Sequence, residues 1–426
     1  MERPELQAHL TALTNECIHC GLCLEACPTY ALTGAEPDSP RGRLHLMKAL
    51  LDGKLDPRAE VFGPFDRCLG CRACETACPS SVRYGHLLET VRAEFVTPAR
   101  PRRGSSAVWK GLLDHVVAHA PRMRLATAPV RLMARHAPSL QRIVSRMLPP
   151  VLGRSVEMVG PGAPLPPLPE WVRTTAPARG TVAFLTGCAM DALYRSVNHA
   201  TVRMLARAGY DVWMPRSQGC CGALHAHEGD HAQAVGFMRA NLRAFDRPDL
   251  VAIVVNSAGC GAAMKEYGSW VAPTDPDHAA ASALASKVRD AAEFLAEVGI
   301  PVPDRPLPLK VAYDEPCHLV HGQRIKEAPK ALLRQIPGLT LVPLAESDWC
   351  CGGAGSYAVL QPANSDRLLE RKLGHIRAAA PDVIVTGNPS CLMQIGLGLR
   401  RHGEPTELLH TMELLDRAYG EPTSKV

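Results

Sequence analysis

Sixteen cysteines in 426 residues are the side chains of this sequence whose spacing most directly implies chemistry. Eight fall in two dense runs, Cys17-x-x-Cys20-x-x-Cys23-x-x-x-Cys27-Pro28 and Cys68-x-x-Cys71-x-x-Cys74-x-x-x-Cys78-Pro79. Three thiolates in one tight loop reach three irons of a cubane, while the fourth, just before a proline, points away to a second cluster. The spacing therefore predicts crossed sets. Cys17, Cys20, Cys23 and Cys78 are expected on one [4Fe–4S] cluster, and Cys68, Cys71, Cys74 and Cys27 on the other. Zinc draws its ligands from C-x-x-C pairs and leaves the third close cysteine of each run without a role.

The other eight cysteines repeat. Cys188, the Cys220-Cys221 doublet and Cys260 are matched by Cys317, the Cys350-Cys351 doublet and Cys391, and each doublet is followed by glycine. The separation between equivalents is about 130 residues throughout, as a duplication of one unit would leave it. Four thiolates per copy suit either one iron–sulfur cluster or one zinc ion, and a buried pair of unligated thiols is the plainer alternative. His225, His227, His231, His318 and His321 lie near these groups. Histidines so placed more often pack than ligate.

The second pattern resembles the cysteine-rich CCG domains of heterodisulfide reductases and of respiratory iron–sulfur subunits. Two such domains behind a two-cluster ferredoxin resemble, more narrowly, the glycolate oxidase iron–sulfur subunits, through CIHCGLCLEACPTY, the PRGR of Pro40–Arg43, DRCLGCRACETACPSSVRY and SAGCGAAMKEYG. Lactate-utilisation and glycerol-3-phosphate dehydrogenase iron–sulfur subunits share these motifs. The resemblance implies an electron-transfer subunit of a flavin-dependent complex that oxidises glycolate, or D-lactate, and passes electrons to a quinone or another carrier. FAD is then expected on partner subunits. The full family pattern ends in C-x-x-C, giving five thiolates per domain. Here Ser257 and Asn388 stand where the first of that pair would be. A five-thiolate noncubane cluster, and with it a disulfide-reducing CCG chain, is disfavoured by that loss.

No G-x-G-x-x-G opens a helix after a strand, and neither a P-loop nor a serine nucleophile elbow is present. A hydride-accepting cofactor is therefore expected on another chain, and no catalytic residue is assigned to this one. Absence of an export signal pattern and of a long apolar run predicts a cytoplasmic protein, at most peripheral on the inner face of the membrane. Net charge is +5, yet residues 98–160 carry eleven Lys or Arg against Asp114 and Glu157. Such asymmetry marks a local basic surface for a phospholipid or partner contact, or a solvated helix face, and does not suit a nucleic-acid-binding protein.

Positioning these thiols requires several elements. Between Cys27 and Cys68, Leu44, Met47, Leu51 and Leu55 recur at helical spacing, so a helical two-cluster ferredoxin-like domain is expected over 1–97. A basic, Pro-rich linker follows over 98–178, with helical patterns near 107–119 and 131–148. Two α/β units are expected over 179–306 and 307–426, because TVAFL, VAIVV, KVAY and DVIV each run to just before a cysteine. The whole reads as a multidomain α+β chain with two duplicated α/β CCG domains. Asp191 is expected to cap a helix carrying Val197, Met204 and Leu205 inward, closed by Gly209.

Overall fold

The structure, a computed structural model, describes residues 3–56, 59–97, 104–162, 165–175 and 177–420. Arg100, Arg102 and Arg103 of the basic stretch lie outside these residues.

Residues 3–97 are helical, with no strand among those described. The helix Pro40–Leu51 shows why. Ser39 caps it by accepting from the Gly42 N–H at 3.0 Å, and Pro40 supplies a preset φ at the first helical position. Leu44, Met47 and Leu51 face a core with Leu10, Phe62, Phe65, Leu87 and Leu88. Leu55 does not belong to that helix, because the turn at Gly53, with φ of +67°, ends it just after Leu51. Leu55 packs on the same core from beyond the turn.

Among the described residues, nine strands form two sheets. The first holds β1 (Trp171–Val172), β2 (Thr181–Leu185), β3 (Asp211–Trp213), β4 (Leu250–Val255) and β5 (Val288–Asp290), in the order β1-β3-β2-β4-β5. The second holds β6 (Lys310–Tyr313), β7 (Thr340–Val342), β8 (Val383–Thr386) and β9 (Glu407–His410), in the order β7-β6-β8-β9. Every pairing is parallel except β1 with β3. The repeat is thus a four-stranded parallel unit, to which the first copy adds β1 from the Pro-rich stretch.

In each unit the strand order reverses between the first and third strands, β2 and β4 or β6 and β8. Ligands of open α/β sheets gather beyond the carboxyl ends of strands at such a reversal. Cys188 and Cys260 follow β2 and β4; Cys317 and Cys391 follow β6 and β8. The two units do not stand apart. Phe184, Val197, Leu205 and Val254 of the first share one apolar core with Val311, Val385, Met412 and Leu415 of the second.

Asp191 does not start the long helix. It lies within the short helix Ala189–Leu193, and Tyr194 precedes the helix Arg195–Arg207. Its carboxylate instead meets Arg195 at 3.0 Å and also Arg124. An ion pair formed across chain segments has replaced the local cap, a competition that local sequence does not display.

Candidate iron–sulfur sites and the chamber between them

The first dense run folds around a small hollow lined by Cys17, Cys20, Cys23, Cys74 and Cys78. Cys78 therefore sits with the first run, as the crossed arrangement requires. Cys27 lies outside that lining, beside Arg43 and within electrostatic reach of Cys71 and Cys74. The PRGR motif explains itself here. A Cβ on Gly42 would stand 2.0 Å from the Glu36 carbonyl oxygen, so only glycine fits. Arg43, 1% exposed, donates to the Pro64 carbonyl at 2.7 Å and to Thr29 Oγ1 at 3.0 Å. Burial pushes the Cys68 thiol up, but Arg43 and Arg92 outweigh it and hold Cys68 below its ordinary value. Two guanidiniums thus favour the thiolate a metal needs.

Both late sets assemble the same way. Cys188 Sγ lies 3.7 Å from Cys220 Sγ, Cys220 meets Cys221, and Cys221 meets Cys260. In the second copy Cys350 joins Cys317 to Cys351, and Cys351 meets Cys391. These contacts run as chains, and among the described residues no three donors gather about one point to hold a single ion. Gly222 and Gly352, with φ of +83° and +84°, turn the chain after each doublet where a Cβ would press on backbone of the helices His231–Ala244 and Pro362–Ala379.

Ser257 and Asn388 meet across the interface of the two units. Asn388 Oδ1 lies 3.5 Å from Ser257 Oγ and accepts from the Gly259 N–H at 3.3 Å, while Nδ2 approaches Cys391 Sγ at 3.6 Å. The two departures from the five-cysteine pattern are therefore one structural feature, a polar contact between the repeats.

All eight late cysteines line a single chamber of about 650 Å³. Cys68 and Gly70 of the second run reach it as well. Burial and the proximity of Cys317 push the Cys71 thiol up, and Cys71 packs in one cluster with Cys350 and Cys317. The second run is thus apposed to the second late set. Three contacts fix the docking: His318 Nε2 donates to the Gly70 carbonyl at 3.0 Å, Thr76 Oγ1 lies 2.9 Å from His321 Nδ1, and Arg324 donates to Thr76. His321 Nε2 donates to the Asp348 carbonyl, so its Nδ1 is the acceptor.

The basic linker forms the remaining wall. Trp109, Leu112, Val116, Met123 and Val130 turn inward from the helices Ser105–Leu112 and Ala120–His136 and the π turn Leu113–Val117. Ala118 packs against Cys188 and Cys220. The stretch is therefore neither a simple tether nor one solvated face. Arg154 is buried and pairs with Asp366 at 2.7 Å, and Lys110 bridges Asp114 and Asp230. His225 is buried 3.1 Å from Asp114, and His231 begins the helix His231–Ala244. His225 lies within electrostatic reach of Cys220 and helps hold its thiol down.

Sequence reasoning missed the surroundings of the second late set. Lys372 and Asp314, each 2% exposed, pair at 2.9 Å, and Thr386 donates to the other carboxylate oxygen. The equivalent positions in the first copy are Asn241 and Leu185. A lysine within the buried stripe Leu368, Leu369, Leu373 and Ile376 was the available signal.

The 4Fe-4S dicluster domain family matches residues 14–82, and the cysteine-rich domain family matches 182–265 and 311–396. The chain is 36% identical over 423 residues to a probable glycolate oxidase iron-sulfur subunit of Bacillus subtilis, covering 96% of this chain and 94% of that protein. It is 33% identical over 418 residues to the glycolate oxidase iron-sulfur subunit of Escherichia coli, with the same coverage. Lactate utilization protein A of Geobacillus kaustophilus is 34% identical over 238 residues, 55% of this chain and 98% of that protein.

Proposed function

Because the chain belongs to the family of glycolate oxidase iron–sulfur subunits, we propose that it carries electrons from a flavin on partner subunits that oxidise glycolate to glyoxylate, or alternatively D-lactate. The reading assigns Cys17, Cys20, Cys23 and Cys78 to one [4Fe–4S] cluster and Cys68, Cys71, Cys74 and Cys27 to a second. One further cluster is assigned to each late set, at Cys188, Cys220, Cys221 and Cys260 and at Cys317, Cys350, Cys351 and Cys391. Bound clusters supply one-electron storage; the polypeptide supplies their order and their electrostatics. The observation that carries the reading is the packing of Cys71 in one buried cluster with Cys350 and Cys317, together with the opening of both late sets onto one chamber. It makes the sets neighbours in sequence along a route. Zinc, which has no redox chemistry, gains nothing from such neighbours.

The test is anaerobic reconstitution. Roughly eight irons are expected from the dense runs and up to roughly sixteen with both late sets filled. Glycolate-dependent dye reduction should appear only when flavoprotein partners are added. Fewer than about four irons per chain with zinc in their place, or dye reduction by the isolated flavin-free chain, would overturn the reading.

No helix among the described residues is long and apolar enough to cross a membrane. A peripheral contact is supported by the outward side of the linker helices. Leu125 is 79% and Met147 81% exposed, with Leu132, Leu140 and Ile143 also exposed. Exposed Arg122, Arg135, Arg142 and Arg146 flank them. Apolar side chains beside arginines suit an anionic lipid surface. The chain is expected to float with anionic phospholipid vesicles. Arg142→Gln with Arg146→Gln should weaken that binding roughly 30-fold, at about 1 kcal/mol per arginine. Unchanged flotation of the double variant would refute the lipid contact.

A further inference from the structure

The thiol sets differ in how far they reach the surface. Of the sixteen cysteines, Cys20 is the exposed one. Cys17, Cys23 and Cys78, which share its hollow, are half-buried, whereas Cys27, Cys68, Cys71 and Cys74 are all buried. In the late sets only Cys260 and Cys317 are not fully buried, and both face the chamber walled by the linker helices. Left-handed backbone at His19 and Gly21, with φ of +54° and +84°, turns the chain on either side of Cys20. Ile18 and Leu22 flank it and are 68% and 60% exposed. Every other large apolar side chain described in residues 3–97 is buried or half-buried. Scattered surface leucines need no explanation, but a pair bracketing the one exposed thiol does. Residues 16–25 hold no Lys or Arg, and their exposed acidic side chains are Glu16 and Glu25. Arg41, which also lines the hollow, is engaged with Glu36 at 2.7 Å.

We propose that the loop 17–23 is the docking surface for the flavin-bearing partner subunit. Ile18 and Leu22 seat in apolar pockets of the partner, Cys20 is brought toward its flavin, and a basic rim meets Glu16 and Glu25. The inference rests on the electron-transfer reading above and adds where electrons enter the chain. Access is the first argument. Electron transfer weakens steeply with distance, so a donor protein must come against the set that reaches the surface. The buried second set can only receive electrons from within, and Cys71 packs in one cluster with Cys350 and Cys317 to hand them on. Composition is the second: an apolar centre within a polar surround is the anatomy of a protein interface. Charge is the third. An anionic lipid surface attracts Lys and Arg and repels Glu16 and Glu25, so the membrane is the wrong occupant here. The exposed arginines that suit lipid lie instead on the linker helices, and the two surfaces have different occupants.

The electrons balance across this contact. The reduced flavin of the partner gives up two electrons, one at each crossing, and its two protons leave on the partner's side. Cys17, Cys20, Cys23 and Cys78 hold the group that accepts each electron in turn, and the second set relieves it before the next arrives. No bond forms between the chains, so docking is reversible and its strength is read directly as a Kd.

The experiment measures binding of the reconstituted full-length chain to the purified flavin-bearing subunits of its complex. Ile18→Ser with Leu22→Ser should raise the Kd at least about 30-fold, the loss that marks hot-spot residues. The EPR spectrum of the dithionite-reduced variant should remain that of the unaltered chain. Glu16→Gln with Glu25→Gln should slow association about tenfold at low salt and hardly at all at high salt. Val302→Ser, at an apolar side chain 75% exposed elsewhere on the surface, should leave the Kd unchanged. Hydroxyl-radical footprinting of the unaltered complex gives an answer without any substitution, and it decides the matter if the EPR spectrum of the variant changes. The partner should protect Ile18 and Leu22 and leave Val302 open. An unchanged Kd in the Ile18 and Leu22 variant overturns the inference. So does a footprint in which those residues stay open to the partner, or are covered instead by anionic vesicles or by a second copy of the chain. If the electron-transfer reading itself is wrong, the flavin-bearing subunits will reduce no cluster of the unaltered chain, a result distinct from loss of binding in one variant.

Discussion

Cys27→Ser is expected to destroy or destabilise the cluster of the second dense run and to leave that of the first intact. Cys78→Ser should do the reverse. Serine oxygen is a harder ligand than thiolate and suits iron–sulfur iron poorly, so the affected cluster should shift in potential, become oxygen-labile or be lost. Cys78 shares a hollow with Cys17, Cys20 and Cys23, which Cys74 of the other run also lines, whereas Cys27 lies outside that lining and close to Arg43. Arg43 also acts on the charge environment of Cys68, so one buried cation faces both Cys27 and Cys68. The measurement is EPR of the reduced protein, comparing Cys27→Ser with Cys20→Ser and Cys71→Ser. A Cys27→Ser spectrum that matches Cys71→Ser supports crossing; one that matches Cys20→Ser refutes it. Flavin reduction by substrate in the partner subunits should survive in all three variants, because the lesion is in the route and not in the oxidation.

Lys372→Met is expected to lower stability by about 3–5 kcal/mol, because it strands Asp314 as an unpaired charge in the core. Lys372 also donates to the Glu346 and Ser347 carbonyls at 2.6 and 3.2 Å, and both acceptors lose their partner. Asp314 and the nearby thiols of Cys351 and Cys391 hold the ammonium above its ordinary value against the effect of burial. Its charge is therefore present at neutral pH, beside a thiolate set that has no such neighbour in the first copy. Lys372→Met with Asp314→Leu removes both charges and restores the leucine found at the equivalent Leu185. That double variant should recover most of the loss, as replacement of whole buried pairs does elsewhere. Urea unfolding of the two variants decides the matter: a single variant as stable as the parent chain would show that the pair is not carrying a buried charge.

Much of the architecture was legible locally. The dense runs name iron–sulfur chemistry because a cubane constrains loop spacing, and that constraint acts within a few residues. The duplication is visible because the cysteine offsets survive in register. Strand runs ending before Cys188, Cys260, Cys317 and Cys391 mark where a parallel sheet delivers its cysteines. Helix periodicity sufficed for the N-terminal domain, apart from Leu55, which a glycine turn removed from the helix while leaving it on the core.

What the sequence by itself determined is the spacing of the cysteines, the duplication of the late sets and the kind of element that carries each group. These depend on spacing, turn residues and periodicity, all of which act over a few neighbours. Only the tertiary structure decided that both late sets face one chamber, that Cys71 lies against Cys317, and that the basic linker closes the chamber with its inner side. It also decided that Ser257 meets Asn388, that Asp191 pairs with Arg124 and Arg195, and that Glu89 finds His227 from 138 positions away. Those contacts arise from packing two sheets and a helical domain around shared apolar cores. Their partners are chosen by burial and shape across the whole chain, and no local pattern encodes which distant side chain will be there.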